Sequence, residues 1–301
     1  GTPTRLFSFG VGYDVDTHFL DKLCEDNRGA STYVRPQENI EVKVSNWYGK
    51  IAQPVLTDLS LDFGEIKTYD LMPEVLPDLF AGSQLSLMGR YKDETTGETT
   101  ITLRGQAGDK GKQEFRTKVN FANRSEGTDY LAALWAGRKI GYLLDQIRLH
   151  GKNEELVDEV VRLSTKYGIL TEYTAFLAQE DERPVPIAEA RDRADKGMGG
   201  AFGAPAGAAP TSQSQNAQKM RDSATVASQN RWVDAEGKEQ QVAGVQNRGQ
   251  RGVVNRQGQL QDMRFDPSVH KVDLKVQAYS EAHFQLGRAF PELNQLLALS
   301  D

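Results

Sequence analysis

Residues Arg5–Gly12 (RLFSFGVG) read as a short buried strand ending in two glycines, and the residues after it restrict the fold class most. Asp16 stands where a helix N-cap belongs, Phe19, Leu20 and Leu23 recur as an apolar stripe, and Gly29 is placed to end that helix. Ser31–Val34 read as a second strand, closed by Pro36. Ile40, Val44, Trp47, Tyr48 and Ile51 then return at helical spacing until Pro54, which lacks the N–H a helix needs. Strand, helix, strand, helix is the rhythm of a doubly wound α/β fold with a parallel sheet. A parallel strand is covered on both faces and needs neighbours, so two strands cannot complete such a sheet. Arg5–Gly12 is therefore expected to lie beside strands that precede Gly1, as the later half of a larger α/β domain would.

From Val55 the pattern changes. Leu56, Leu59, Leu61 and Phe63 belong to one strand-like run and Ile66–Leu71 to another. Gln84–Tyr91, Thr99–Arg104 and Gln113–Phe121 alternate apolar and polar residues, with turn-forming residues between them. Such strands predict an antiparallel, β-sandwich-like layer. Helical spacing returns at Asp129: Leu131, Leu134, Trp135, Ile140, Leu143, Leu144 and Ile147 share a broad face up to Gly151. Glu154–Tyr167 repeats the pattern with Leu156, Val157, Val160, Val161 and Leu163, and the short connection predicts an antiparallel helix pair. Trp135 reads as a core anchor in that pair.

Residues 181–230 look like a polar linker, within which the charged Glu182–Asp195 is compatible with a partly helical stretch. Gly197–Gln218 is rich in Gly, Ala, Pro, Ser and Gln and offers almost no apolar anchor. Order is expected to resume near Trp232, with Val272, Leu274 and Val276 alternating as a strand and Ser280 capping a short helix. This last piece is too small for its own core, so it should dock on what precedes it; Trp232 either pins it there, the favoured reading, or is exposed for a partner.

The low apolar fraction, 38%, agrees with a sizeable polar segment. A formal charge of −6, with acids and bases interleaved, excludes a general binder of nucleic acid or anionic membranes, which needs clustered Lys and Arg. The single cysteine, Cys24, rules out an intrachain disulfide but leaves the compartment open. No run is apolar enough to span a membrane.

Motifs for chemistry are sparse. Gly10-Val11-Gly12 follows a strand as a dinucleotide loop would, yet Val15 occupies the place of the third glycine, so only a tight turn is implied. Asp14 and Asp16 lie past the strand's C-terminal end, where open α/β sheets place ligands, and are weak candidates for a divalent metal that needs about six oxygens. The bland alternative makes Asp16 a helix cap and Asp14 a turn residue. His18 and Cys24 sit ~240° apart around their helix and form no thiolate–imidazole pair by themselves. His150, His270 and His283 show no zinc spacing, and no nucleophile motif appears. No catalytic or cofactor-binding residue is indicated. A hydrolase or transferase using dispersed His, Asp and Glu stays as the alternative, beside a purely structural module.

Several blocks together carry a resemblance. Arg5–Pro36 (RLFSFGVGYDVDTHFLDKLCEDNRGASTYVRP) resembles the last strands and helix of a von Willebrand factor A-type domain. IAQPVLTDLSLDF, PDLFAGSQLSLMGRY, LWAGRKIGYLLDQIRLHG and LVDEVVRLSTKYGILTEYTAFL follow in the order of inter-alpha-trypsin inhibitor heavy-chain-like proteins, which carry a VIT domain, an A-type domain and this tail. RWVD and VDLKVQAYSEAHFQLGRAFPELNQLLAL are similar to the end of bacterial members. The resemblance implies the following division. Residues 1–54 close an A-type, Rossmann-like domain, 55–180 form the β layer and helix pair, 181–230 the linker, and 231–301 a docking segment. It also implies a non-enzymatic, extracytoplasmic or cell-surface protein that binds a protein partner, for adhesion or scaffolding. The family's Asp-x-Ser-x-Ser metal motif would fall before Gly1, so a divalent metal belongs to the complete A-type domain and no cofactor is assigned to these residues. Asp266-Pro267 is followed by Ser268 rather than His, so the family's covalent transfer chemistry is not carried over.

Overall fold

The computed structural model describes residues 4–51, 53–92, 97–122, 129–178, 186–198, 206–223, 230–234, 238–242, 244–248, 251–256, 258–272 and 274–298. In chain order these begin with β1 (Ser8–Val11), α1 (Thr17–Asp26), β2 (Ser31–Val34) and α2 (Ile40–Ile51). Next come β3 (Pro54–Asp62), β4 (Thr68–Met72), β5 (Leu79–Phe80), β6 (Met88–Tyr91), β7 (Gly97–Gln106) and β8 (Lys112–Phe121). Helices α3 (Asp129–His150), α4 (Glu154–Tyr167), α5 (Ile187–Met198) and α6 (Ala208–Arg221) follow. The remainder holds β9 (Asn230–Val233), β10 (Glu239–Val242), β11 (Val245–Arg248), β12 (Arg251–Arg256), β13 (Gln259–Asp262), α7 (Glu281–Ala289) and α8 (Asn294–Leu297). They form two compact units, Gly1–Gly127 with Pro205–Ala224, and Thr128–Ala204 with Thr225–Asp301.

In the first unit β1 and β2 are parallel, with Ser8 opposite Ser31 and Gly10 opposite Tyr33. Side chains alternate along a strand, so Ser8 and Gly10 face one side and Phe7 and Phe9 the other. Helix α1 lies on the first side, where Cys24 Sγ donates to Ser8 Oγ at 3.3 Å. Helix α2 lies on the second, where Trp47 meets the rings of Phe7 and Phe9 at 6.0 and 5.8 Å. Helices on both faces of a parallel pair are the α/β arrangement that the strand–helix rhythm implies. Gly10 owes its place to packing: a Cβ there would come within 2.7 Å of the Tyr33 ring, which crosses over it to reach α1.

The following strands are all antiparallel. Strands β5, β3, β7 and β8 form a four-stranded sheet in that order, and β4 pairs with β6. The β7–β8 ladder runs unbroken from Gly97 opposite Phe121 to Gln106 opposite Lys112. Strand β8 is an edge, and its exposed Glu114 ties Arg104 at 2.7 Å to Arg116 at 2.6 Å, the charged dressing that discourages edge-to-edge association.

One clamp joins this layer to the start of β1. Arg5 reaches Asp78 at 2.7 Å and Asp58 at 2.9 Å, and Arg28 also holds Asp58 at 2.9 Å. Replacing Arg5 by Ala strands the largely buried Asp78 carboxylate without its cation, while Asp58 keeps Arg28. Arg5→Ala is expected to lower the stability of the first unit by about 2 kcal/mol, between an exposed and a fully buried pair, with Arg5→Lys intermediate. Urea unfolding of the two variants checks this.

In the second unit α3 and α4 pack through Trp135, Ile140, Leu143 and Ile147 on one side and Val157, Val160, Val161 and Leu163 on the other, all buried. At roughly 1.5–3 kcal/mol for each buried aliphatic side chain, the four from α4 contribute on the order of 10 kcal/mol before entropy is set against them. Asn153 caps α4 by accepting from Glu155 N–H at 2.8 Å. Strands β11, β12 and β13 form an antiparallel sheet whose Val245, Val254 and Met263 cluster with Leu170, and Trp232 packs against that cluster. Trp232 thus pins its segment, as expected. Val272, Leu274 and Val276 do not form a strand. Their backbone is irregular, and Val272 and Leu274 are 70% and 74% exposed, because no strand lies alongside to pair with them among the described residues.

Asp262 closes β13 between two guanidiniums, Arg264 at 2.6 Å and Arg251 at 3.2 Å. Burial alone would raise its pKa, but the bonds from the Arg264 side chain and N–H, with Arg251 behind them, hold it below the usual carboxylate range. A depressed folded-state value adds stability above the unfolded value of about 3.9, and that stability is lost as pH falls through the folded one. The stability gap between the wild type and Asp262→Asn is therefore expected to be full at neutral pH and to shrink below about pH 4, as read by urea melts across pH.

The expected linker needs correction. Helix α5 (187–198) agrees with the partly helical reading of Glu182–Asp195, but residues 208–221 are helix α6, which buries Pro210, Thr211, Ser212, Ser214, Gln215, Asn216 and Ala217. The absence of large apolar anchors misled because α6 is held by hydrogen bonds. Residues 181–185, 199–205 and 224–229 of that stretch lie outside the described residues.

Candidate functional site

The chemistry-bearing residues of the first unit gather around the β1–β2 pair. Ser8 and Gly12 N–H donate to the Ala30 and Val34 carbonyls at 3.2 and 2.9 Å. In a parallel ladder the intervening residues turn their N–H and C=O the opposite way, so Phe7, Phe9 and Val11 present theirs to the far side of β1. No strand lies there among the described residues. Beside this open edge, Val11 is 51% exposed, and Ile40, Val44 and Tyr48 on the apolar face of α2 are exposed as well. Trp47 and Phe80 cover Phe7 from the same side, at 6.0 and 6.4 Å.

The two carboxylates considered for a metal take different places. Asp16 N-caps α1, accepting from Phe19 N–H at 2.8 Å, and Asp14 is exposed in the preceding turn. No group of three His, Cys, Asp or Glu side chains that could hold a metal ion converges among the described residues.

A different carboxylate organises the buried side of α1. Phe19 is 58% exposed, and the face that packs inward carries Thr17, Asp21 and Cys24 instead of the apolar stripe expected from Phe19, Leu20 and Leu23. Asp21 accepts from Tyr33 Oη at 2.7 Å, from Ser31 Oγ, and from Ser214 Oγ of α6 at 2.7 Å. Three hydroxyl donors on one buried carboxylate are the satisfaction such a charge requires. Sequence reasoning missed this cluster. The available signal was the i, i+4, i+7 spacing of Thr17, Asp21 and Cys24, which makes a polar face where an apolar one was sought. Burial pushes the Cys24 thiol pKa up, outweighing its bond to Ser8, so Cys24 behaves as a small core residue.

The histidines are spread over separate elements: His18 on α1, His150 ending α3, His270 after β13, and His283 on α7. His270 Nδ1 accepts the Asp266 N–H at 3.0 Å, and the Asp266 carboxylate accepts from Ser268 Oγ at 2.5 Å and from Ile187 N–H at 3.2 Å, a set of turn and cap contacts. His283 stacks on Tyr279 at 5.8 Å. No helix of the described residues is long and apolar enough to cross a membrane.

No protein-family model matches the chain. Over 205 residues it is 24% identical to the inter-alpha-trypsin inhibitor heavy chain H2 of Sus scrofa, a match covering 62% of this chain and 22% of that protein. It is 25% identical over 188 residues to heavy chain H3 of Rattus norvegicus, covering 59% and 21%. A von Willebrand factor A domain-containing protein of Dictyostelium discoideum is 23% identical over 176 residues, covering 58% and 21%. The chain therefore spans about a fifth of the length of the curated relatives it matches. A parallel strand pair flanked by helices, then antiparallel strands, is consistent with these relatives. The chain is an inter-alpha-trypsin inhibitor heavy-chain-like protein with a von Willebrand factor A-like portion.

Proposed function

We propose that this chain is a non-enzymatic protein-interaction segment, working in adhesion or scaffolding as part of an extracytoplasmic heavy-chain-like protein, and that β1 is where it joins a larger A-type sheet. The observation that carries this reading is the edge of β1 along which no strand lies among the described residues, where Phe7, Phe9 and Val11 direct their backbone outward beside the exposed apolar face of α2. An edge of this kind is a template for another strand, and a protein partner is the natural occupant of the apolar surface around it. The antiparallel layer would act as a brace for that sheet, held through the Arg5–Asp78 clamp. The α3–α4 pair would form a second rigid platform in its own unit. A divalent metal, where one accompanies this function, is assigned to a complete A-type domain rather than to Asp14 and Asp16. Likeness to heavy chains of a trypsin inhibitor supports both the binding role and the extracytoplasmic placement.

The test is affinity capture from the native source with quantitative mass spectrometry, using the wild type and the edge variants Val11→Asp and Tyr48→Asp. A protein held by the wild type and lost by both variants is the expected result. Equal capture by all three, or hydrolysis of a substrate panel by the purified chain, would overturn the reading.

A further inference from the structure

We infer that α6 is a detachable strap, released from the first unit as one piece while α1 and the β1–β2 pair stay folded. Its attachments are polar. Ser214 Oγ donates to Asp21 Oδ2 at 2.7 Å, Gln215 Nε2 to the Tyr33 carbonyl at 3.3 Å, and Gln218 Nε2 to the Ser31 carbonyl at 3.2 Å. Gly207 N–H adds a bond to the Tyr13 carbonyl at 2.8 Å. None of the residues that α6 buries is Leu, Ile, Val or aromatic, in contrast to the aliphatic face of α4. Hydrophobic burial, the strongest force holding helices in place, is therefore limited to the small side chains Pro210 and Ala217.

Two further features weaken the closed form. Ser212 Oγ on α6 and Thr17 Oγ1 on α1 are buried without a hydrogen-bond partner, which opposes closure because both would regain water on opening. Helix α6 is 14 residues long, and its N-cap residue Gly207 provides no side-chain bond, so it gains little from being helical alone. Opening is thus local and favoured by its own sequence.

The strap covers a specific surface. The β1 ladder uses the Ala30 and Val34 carbonyls, which leaves those of Ser31 and Tyr33 pointing away from β1, along the outer edge of β2. The Gln215 and Gln218 amides of α6 occupy the place of the N–H groups of a next strand. Release of α6 uncovers this second strand edge together with the Asp21 carboxylate.

Native-state hydrogen exchange of the full chain, followed across sub-denaturing urea, tests the strap. Amides from Thr211 to Met220 are expected to exchange about 100-fold faster than those of Leu20–Cys24 in α1, with a shallow dependence on urea. The double variant Gln215→Ala/Gln218→Ala should speed α6 a further tenfold or so and leave α1 unchanged. A single shared rate and a common steep urea slope for α6 and α1 would overturn the inference, as would a double variant that leaves α6 exchange unaltered or accelerates both helices equally.

Discussion

Gly252→Ala is expected to cost the second unit about 3 kcal/mol, the upper range for overpacking a site that cannot relax. A Cβ on Gly252 would come 2.3 Å from the Gly168 nitrogen and 2.5 Å from the Thr165 carbonyl oxygen. All of those atoms are backbone, so no side chain can swing aside. Gly168 is the left-handed C-cap of α4, and its own Cβ would meet the Gln246 carbonyl at 2.7 Å. The two glycines therefore let the end of α4 lie directly on β11 and β12, and Asn247 Nδ2 secures the approach by donating to the Tyr167 carbonyl at 2.9 Å. Thermal unfolding should show a transition lowered by roughly 10 °C. Gly137→Ala is the matched control, because its nearest neighbour would be Ile169 Cδ1 at 3.9 Å. In mid-helix that change should stabilise by about 0.5–1 kcal/mol. A Gly252→Ala protein that melts with the wild type would refute the close approach of α4 to β12.

The second large effect is at Asp21. Asp21→Ala removes the acceptor shared by Ser31, Tyr33 and Ser214; Tyr33 Oη keeps the Thr17 carbonyl at 3.1 Å, while the Ser31 and Ser214 hydroxyls lose their bond to the carboxylate. A loss of about 2–3 kcal/mol from the first unit is expected, since each of the two abandoned donors costs roughly 1 kcal/mol or more and the Tyr33 bond to the carboxylate is lost as well. Tyr33→Phe removes one donor and should cost about 1–2 kcal/mol. In the double variant the two losses should fall short of their sum, because they share one bond. Urea melts of the four proteins measure the cycle. Strict additivity would mean that Tyr33 and Asp21 do not interact in the folded chain.

Much of the first unit was legible in the sequence. The α/β rhythm of β1, α1, β2 and α2 shows in the chain because buried strands are continuous apolar runs and helix ends carry caps such as Asp16. Strands β7 and β8 were readable from period-two alternation. Helix α6 was not, because composition was used as a measure of order and its packing is made of hydroxyls and amides whose partners lie 182 to 193 residues away in sequence. The inward face of α1 was misread for a related reason. Periodicity identifies which residues share a face, but not which face a helix turns to the sheet. Gly10 was weighed as a nucleotide loop residue, and only the path of the Tyr33 ring shows that it is a packing glycine.

By itself the sequence determined the strand–helix–strand–helix order of β1 to α2, the absence of a disulfide framework, and the likeness to heavy-chain proteins. Each follows from local patterns or residue identity, which need no neighbours to be read. The tertiary structure alone decided that Asp21 rather than Asp14 or Asp16 anchors a polar cluster, that α6 returns to the edge of β2, and that among the described residues no strand covers the edge of β1 beside the apolar face of α2. Those are properties of pairs distant in the chain. A carboxylate's role depends on which donors surround it, and a strand's edge is open only when no other segment has come to lie along it.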